Sequence, residues 1–311
     1  MTRQTVRLGT RRSLLARTQS GQVADMIRDQ LGLEVELVEI VTEGDRSQAA
    51  GTPVTSATPT GIYVSALRDA LLAGEVDVAV HSLKDLPTYA AEGIDLIAIP
   101  VREDPRDVIV ARDGLTLGEL PAGSKVGTGS PRRVAQLAAL GLSLELTGVR
   151  GNIDTRIGKV RSGEFDAVVL ARAGLSRIGR LDEVTEMLDP LQMLPAPGQG
   201  ALGIECRADD ELGQTLRALD HGPTRAAVTA ERALLATLEG GCAAPIGTLA
   251  DVVEGEDGDE LWVRAVVLSP DGAVAIRRSA SGSPADAAGV GTRLAEEMLS
   301  EGAGTLAGDE S

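Results

Sequence analysis

The stretch Glu75-Val76-Asp77-Val78-Ala79-Val80-His81-Ser82-Leu83-Lys84-Asp85-Leu86-Pro87 changes character half-way along. Its β-branched first part predicts a strand, and the polar run after it predicts a loop carrying a base, a hydroxyl, an ammonium and a carboxylate. In open α/β sheets, ligands bind beyond the carboxyl ends of the strands, so chemistry is expected on this run. Gly163-Glu164-Phe165-Asp166-Ala167-Val168-Val169 repeats the pattern of Gly74-Glu75-Val76-Asp77-Val78-Ala79-Val80. Two copies of one pattern predict two α/β lobes built alike, with a cleft between them.

The segments upstream of each copy agree. Thr5-Val6-Arg7-Leu8 reads as a strand entering Gly9-Thr10-Arg11-Arg12-Ser13, with a helix from Leu14 to about Leu31. Ser124-Lys125-Val126 enters Gly127-Thr128-Gly129-Ser130-Pro131-Arg132-Arg133 in the same way, with a helix from Val134. A Gly-Thr turn at a helix start presents backbone N–H groups that suit an anion. Ser130 is expected to cap the second helix and Pro131 to take its first position. Arg132 and Arg133 then oppose the helix dipole, a placement that makes sense with an anion bound between them. In Gly148-Val149-Arg150-Gly151-Asn152-Ile153-Asp154-Thr155-Arg156, two guanidiniums flank an Asn and a Thr, a set suited to bidentate recognition of carboxylates. A phosphate loop would need a Gly-Lys-Ser/Thr ending, which this segment lacks.

Further along, Leu194-Pro195-Ala196-Pro197-Gly198-Gln199-Gly200 reads as a crossing, and Ala201 to Arg207 as a strand returning to the first lobe with Cys206 in its core. A helix over Thr224 to Leu238 leads to Gly240-Gly241-Cys242, a tight turn that leaves a thiol unhindered. Strands to Val253, from Leu261 and to Ala280, then a helix from Ala285 to Ser300, predict a small α+β domain with a three-stranded antiparallel sheet. The tail from Gly302 is expected to fray, and Ser47 to Thr60 to form a mobile loop. The expected organisation is lobe 1 over 1–100 plus 196–221, lobe 2 over 101–195, and a C-terminal domain over 222–311.

The chain of 311 residues has a formal charge of −16, a balance that opposes nucleic acid as a partner. No apolar run reaches the length of a membrane span and residues 1–20 lack a secretory apolar segment, so a cytoplasmic protein is expected. Two cysteines and two histidines make a His/Cys metal site unexpected. The charge is uneven: residues 125–180 hold ten cations against four anions, whereas residues 251–311 hold thirteen anions against four cations. An acidic chain that concentrates arginine in its middle is expected to bind an anionic ligand there.

Taken in order, Gly9 to Ser13, His81 to Pro87, Arg102 to Asp107, Gly127 to Arg133, Arg150 to Arg156, Pro195 to Arg207 and Gly240 to Gly247 resemble the porphobilinogen deaminase (hydroxymethylbilane synthase) family over nearly the whole chain. The resemblance implies a dipyrromethane cofactor held by a thioether on Cys242. It also implies addition of four porphobilinogens head to tail, with ammonia leaving at each step and water releasing the linear tetrapyrrole. Asp85, with Lys84, is the implied catalytic group, because deamination needs an acid for the aminomethyl group and an anion for the electron-poor pyrrole that follows. Ser82, Lys84, Asp85, Thr128, Ser130, Arg132, Arg133, Arg150 and Asn152 are the implied contacts of the cofactor. Arg11, Ser13, Tyr63, Arg150, Arg156, Arg177 and Gln199 are those of porphobilinogen and its oligomers. Nucleic acid, membrane and an obligate protein partner are not expected, and a monomer is. The chain departs from the family over Gly51 to Gly61, which carries no cation where lysines are usual, while Tyr63 keeps the aromatic beyond it. Two readings stand beside the enzyme: a two-lobed binding protein of the periplasmic type, which would need neither Cys242 nor Asp85, and a ligand-sensing regulatory domain.

Overall fold

The structure, a computed structural model, describes residues 5–40, 62–239, 245–256 and 258–306. Cys242 and its turn, and the loop over 47–60, lie outside the described residues, as does the side chain of Tyr63. The chain divides into two compact units, Met1–Glu103 with Ala201–Arg225, and Asp104–Gly200 with Ala226–Ser311.

The first unit is built on strands β1 (Val6–Thr10), β2 (Val35–Glu39), β3 (Val78–Ser82), β4 (Ile94–Ala98) and β10 (Leu202–Arg207), in the order β2-β1-β3-β10-β4. β1 pairs in parallel with β2 and β3, and β10 runs antiparallel between β3 and β4. Helix α1 (Leu14–Leu31) starts at Ser13, whose Oγ accepts from the Ala16 N–H, and stops at Gly32 in the left-handed region. It buries Val23, Ala24 and Ile27 against Leu8, Val80, Ile204 and Cys206, while helix α2 (Ile62–Leu72) covers the other face through Leu67 and Leu71.

The second unit carries β5 (Asp107–Ala111), β6 (Lys125–Gly127), β7 (Glu145–Thr147), β8 (Ala167–Ala171) and β9 (Glu186–Met187) in the order β7-β6-β8-β5-β9. Here β6 pairs in parallel with β7 and β8, and β5 runs antiparallel between β8 and β9. The two sheets therefore share one topology. In each, the antiparallel member is the strand that follows a crossing from the other lobe's sequence. Helices α3 (Pro131–Ala139), α4 (Ile153–Arg161) and α5 (Arg172–Arg177) flank the second sheet.

The same unit holds the antiparallel sheet β11 (Ile246–Gly255), β12 (Gly258–Leu268) and β13 (Ala275–Gly282), with Ile246 opposite Val267 and Leu261 opposite Gly282. Helices α7 (Gly222–Glu239) and α8 (Ala287–Ser300) bury Leu234, Leu238, Val290, Leu294 and Met298 on it. Helix α6 (Glu211–Leu216) belongs to the first unit, where it contacts α1 and β4. The two helices of the antiparallel sheet touch at Gly291, where a Cβ would stand 2.1 Å from the Ala230 carbonyl, so only glycine permits the approach. Ala135 and Leu194 pack on Leu249, Val266 and Leu268, which joins this sheet to α3.

Three expectations shift. The strand before the polar run begins at Val78, because the Ala70 carbonyl at the end of α2 captures the N–H groups of Glu75 and Val76. It extends through His81 and Ser82, which pair with Gly203 and Leu202 of β10. The tail does not fray at Gly302, because residues 303–305 form a 3-10 turn with Ala303 buried in the C-terminal core.

Candidate active site

In the first unit, β3 ends in a 3-10 turn over Leu83–Asp85. Leu83 and Leu86 are buried, and the Leu83 N–H donates to the Ala201 carbonyl, so apolar anchors hold the turn while Lys84 and Asp85 stay exposed. Since β1 lies beside β3, the start of α1 with Arg11 and Ser13 emerges at the same edge of the sheet. The Ser82 Oγ accepts from Gln19 Nε2 at 2.8 Å, and Gln19 is buried on α1.

The base of the run, His81, faces inward. Its Nε2 lies 3.2 Å from Glu205 Oε2, and Glu205 accepts both forks of Arg68 at 3.0 and 2.6 Å. Burial would raise the Glu205 carboxyl, but His81 and Arg68 outweigh it and hold the group at about 2. This charge cluster lies behind the exposed turn. A glutamate within the apolar run Ala201 to Cys206 is the sequence signal that a buried partner is required.

In the second unit, the segments after β6, β7 and β8 leave the same edge of their sheet. After β6, the Thr128 N–H donates to the Thr147 carbonyl and Thr128 Oγ1 accepts from the Ser130 N–H. Ser130 occupies the cap position of α3 without a side-chain cap bond. The anion expected between Arg132 and Arg133 is present, and it belongs to the chain. Asp107, fully buried at the start of β5, accepts from Arg132 Nη2 on Oδ2 and from Arg133 Nη2 on Oδ1, each at 2.7 Å. Gln199 Nε2 adds a third bond at 2.8 Å. Burial alone would raise the Asp107 carboxyl, yet the two guanidiniums keep it far below the usual carboxylate range.

After β7, Asn152 caps α4: its Oδ1 accepts from the Thr155 N–H at 2.8 Å and from Thr155 Oγ1 at 2.9 Å. Gly151 has φ of +108°, and a Cβ there would stand 2.6 Å from Thr155 Cγ2. Arg156 Nε donates to the Gly151 carbonyl, and Arg177 Nη2 to the Gly200 carbonyl. Much of the arginine surplus is locally neutralised: Lys159 pairs with Glu164, Arg161 with Glu183, and Arg180 with Asp154 and Glu183. Asp154 thus spends its charge on Arg180. Arg150 and Arg156 pair with no carboxylate among the described residues. Burial lowers the Arg156 pKa, and the like charge of Arg133 lowers it further.

Residues 6–215 match the model described as "Porphobilinogen deaminase, dipyromethane cofactor binding domain", and residues 225–300 match "Porphobilinogen deaminase, C-terminal domain". The chain belongs to the porphobilinogen deaminase family. Porphobilinogen deaminase 1 of Streptomyces coelicolor is 54% identical over 321 aligned residues, covering 100% of both chains. Porphobilinogen deaminase of Mycobacterium tuberculosis is 57% identical over 307, covering 97% of this chain and 98% of that one. The VFT2 domain of Bordetella pertussis BvgS, a solved structure, is 16% identical with a TM-score of 0.43, covering 69% of this chain and 86% of that one.

Porphobilinogen deaminases are transferases of tetrapyrrole biosynthesis that act on porphobilinogen with a dipyrromethane cofactor, and they have hydroxymethylbilane synthase activity. The residues of this family member fit that cofactor's chemistry. Arg132, Arg133 and Arg156 crowd a desolvated region in which Asp107 pairs with the first two alone, and buried cations without balancing charge are costly. Carboxylate side chains on a pyrrole are groups of the charge such a region lacks. Among the described residues no His, Cys, Asp or Glu cluster could hold a metal, and no helix is long and apolar enough to cross a membrane.

Proposed function

We propose that this family member works as a hydroxymethylbilane synthase with its dipyrromethane on Cys242, Asp85 as the catalytic group and arginines of both lobes as carboxylate receptors. The observation that carries the reading is the charge of Arg156, which pairs with no carboxylate among the described residues and lies beside the buried Arg133. The other cysteine supports the attachment point by elimination. Cys206 is buried in β10, and burial, with Asp210 and Asp95, pushes its thiol up to about 11, so it offers little thiolate for a thioether.

When bound, the dipyrromethane supplies the nucleophilic terminal pyrrole carbon on which the chain grows. Asp85, exposed on a turn fixed by Leu83 and Leu86, can hydrogen-bond the pyrrole N–H and the departing amine of porphobilinogen. As ammonia leaves, a carboxylate so placed stabilises the positive charge that spreads over the substrate ring. Lys84 and Arg11 flank it at the same sheet edge and would orient acetate and propionate groups, with Ser13 and Ser82 as hydrogen-bond partners. Arg150, Arg156 and Arg177 would do the same in the second lobe, with Thr128, Ser130, Asn152 and Gln199 as polar contacts. Tyr63 is kept as a substrate contact on the family pattern. The charge of −16 supports a protein without a nucleic-acid partner, and we read it as a cytoplasmic monomer acting alone on porphobilinogen and its oligomers.

The test is turnover of porphobilinogen by the wild type and Asp85→Asn. The expected result is one ammonia per porphobilinogen consumed for the wild type, and a loss of at least roughly 100-fold in a variant of unchanged fold. Wild-type rates from Asp85→Asn would remove Asp85 from the chemistry.

A further inference from the structure

We propose that Asp107 is a positioning residue for cofactor capture: a buried carboxylate that aims Arg132 and Arg133 and ties them to the crossing at Gln199. The inference rests on the cofactor reading above and assigns a role to a residue that would touch neither cofactor nor substrate.

Arg132 and Arg133 are consecutive on α3, so their side chains leave the helix about 100° apart. They converge nonetheless, because Asp107 offers one oxygen to each. Each guanidinium is then fixed at its other terminal nitrogen by a backbone carbonyl: Arg132 Nη1 by Leu194 at 2.5 Å, and Arg133 Nη1 by Val169 at 3.0 Å. Gln199 Nε2 reaches both Asp107 Oδ1 and the Pro105 carbonyl. One carboxylate thereby links β5, α3, β8 and the crossing over 194–200.

The arrangement is electrically incomplete. Two buried guanidiniums share one carboxylate, Arg156 adds like charge beside Arg133, and the Nε atoms of Arg132 and Arg133 are buried without a hydrogen-bond partner. A hub meant only to brace the fold would be better served by matched charges. A hub that holds two cations in fixed places, with positive charge to spare, suits capture of a carboxylate-bearing ligand. Charge and position then make opposite predictions for Asp107→Asn. Attraction alone predicts better capture, because the region becomes more positive. Positioning predicts worse capture, because the arginines lose their anchor.

The experiment uses full-length wild type, Asp107→Asn and Asp107→Glu made without cofactor in a host unable to form porphobilinogen. Each is incubated with porphobilinogen, and the loaded fraction is followed over time by denatured intact mass, with circular dichroism to verify the fold. We expect both variants to load at least roughly tenfold more slowly than the wild type. Asp107→Glu keeps the charge and shifts the carboxylate by one methylene, so it decides the matter if Asp107→Asn fails to fold. A folded Asp107→Asn that loads at or above the wild-type rate, or Asp107→Glu loading at the wild-type rate, would overturn the proposal. A wild type that never gains the dipyrrole mass would instead sink the cofactor reading itself.

Discussion

Gln19 Nε2 donates a 2.8 Å hydrogen bond to Ser82 Oγ, which ties the first helix to the end of the strand that presents Lys84 and Asp85. Gln19 is buried, so Gln19→Leu removes a donor without leaving a new cavity of any size. The expected cost in stability is about 1 kcal/mol. Because Ser82 would lose its fixed orientation, KM for porphobilinogen should rise more than kcat falls. Denaturant unfolding and steady-state kinetics on one preparation check both, and an unchanged KM would make the bond purely structural.

Glu205 gives a pH prediction. Its carboxyl is held at about 2 against an ordinary value of 4.5, a difference equivalent to about 3 kcal/mol. Since the folded value is the lower one, this stabilisation is complete above pH 4.5 and fades as pH falls toward 2. Glu205→Gln should be destabilised by about 3–5 kcal/mol at pH 7, where Arg68 and His81 lose their counter-ion. The gap to the wild type should close across that acid window in unfolding curves. A gap independent of pH would mean that packing, not charge, is lost.

Gly151→Ala tests the backbone before α4. With φ of +108° and Thr155 Cγ2 only 2.6 Å from the added carbon, the segment must move. A loss of about 1–3 kcal/mol is expected, together with weaker binding through displaced Arg150. Thermal unfolding and KM should change together; a stable variant with raised KM would place the effect on the arginine alone.

Arg150 is exposed and pairs with no carboxylate among the described residues, so Arg150→Leu should change stability by less than about 0.5 kcal/mol. Cofactor loading or porphobilinogen binding should fall far more. If unfolding accounts for the whole loss, Arg150 is structural.

The architecture was legible where pattern is local. The paired runs ending at Val80 and Val169 announced the two lobes, and the Pro/Gly crossing before Leu202 announced the returning strand. What escaped was long-range pairing. The count of ten cations against four anions over 125–180 missed Asp107, which precedes that window and joins Arg132 and Arg133 only once β5 lies beside β8. His81 was legible as a base but not as a buried one, since its partner Glu205 comes from β10. Gln19 looked like any polar residue on a helix. Its role depends on α1 lying across β3, a contact that periodicity does not encode.

Covalent cofactor chemistry at Cys242 is read out by the denatured intact mass of the purified wild type beside Cys242→Ser and Cys206→Ser. A mass excess of two linked pyrroles is expected in the wild type and in Cys206→Ser, and none in Cys242→Ser. An excess that survives in Cys242→Ser, or a wild type still unmodified after incubation with porphobilinogen, would contradict it.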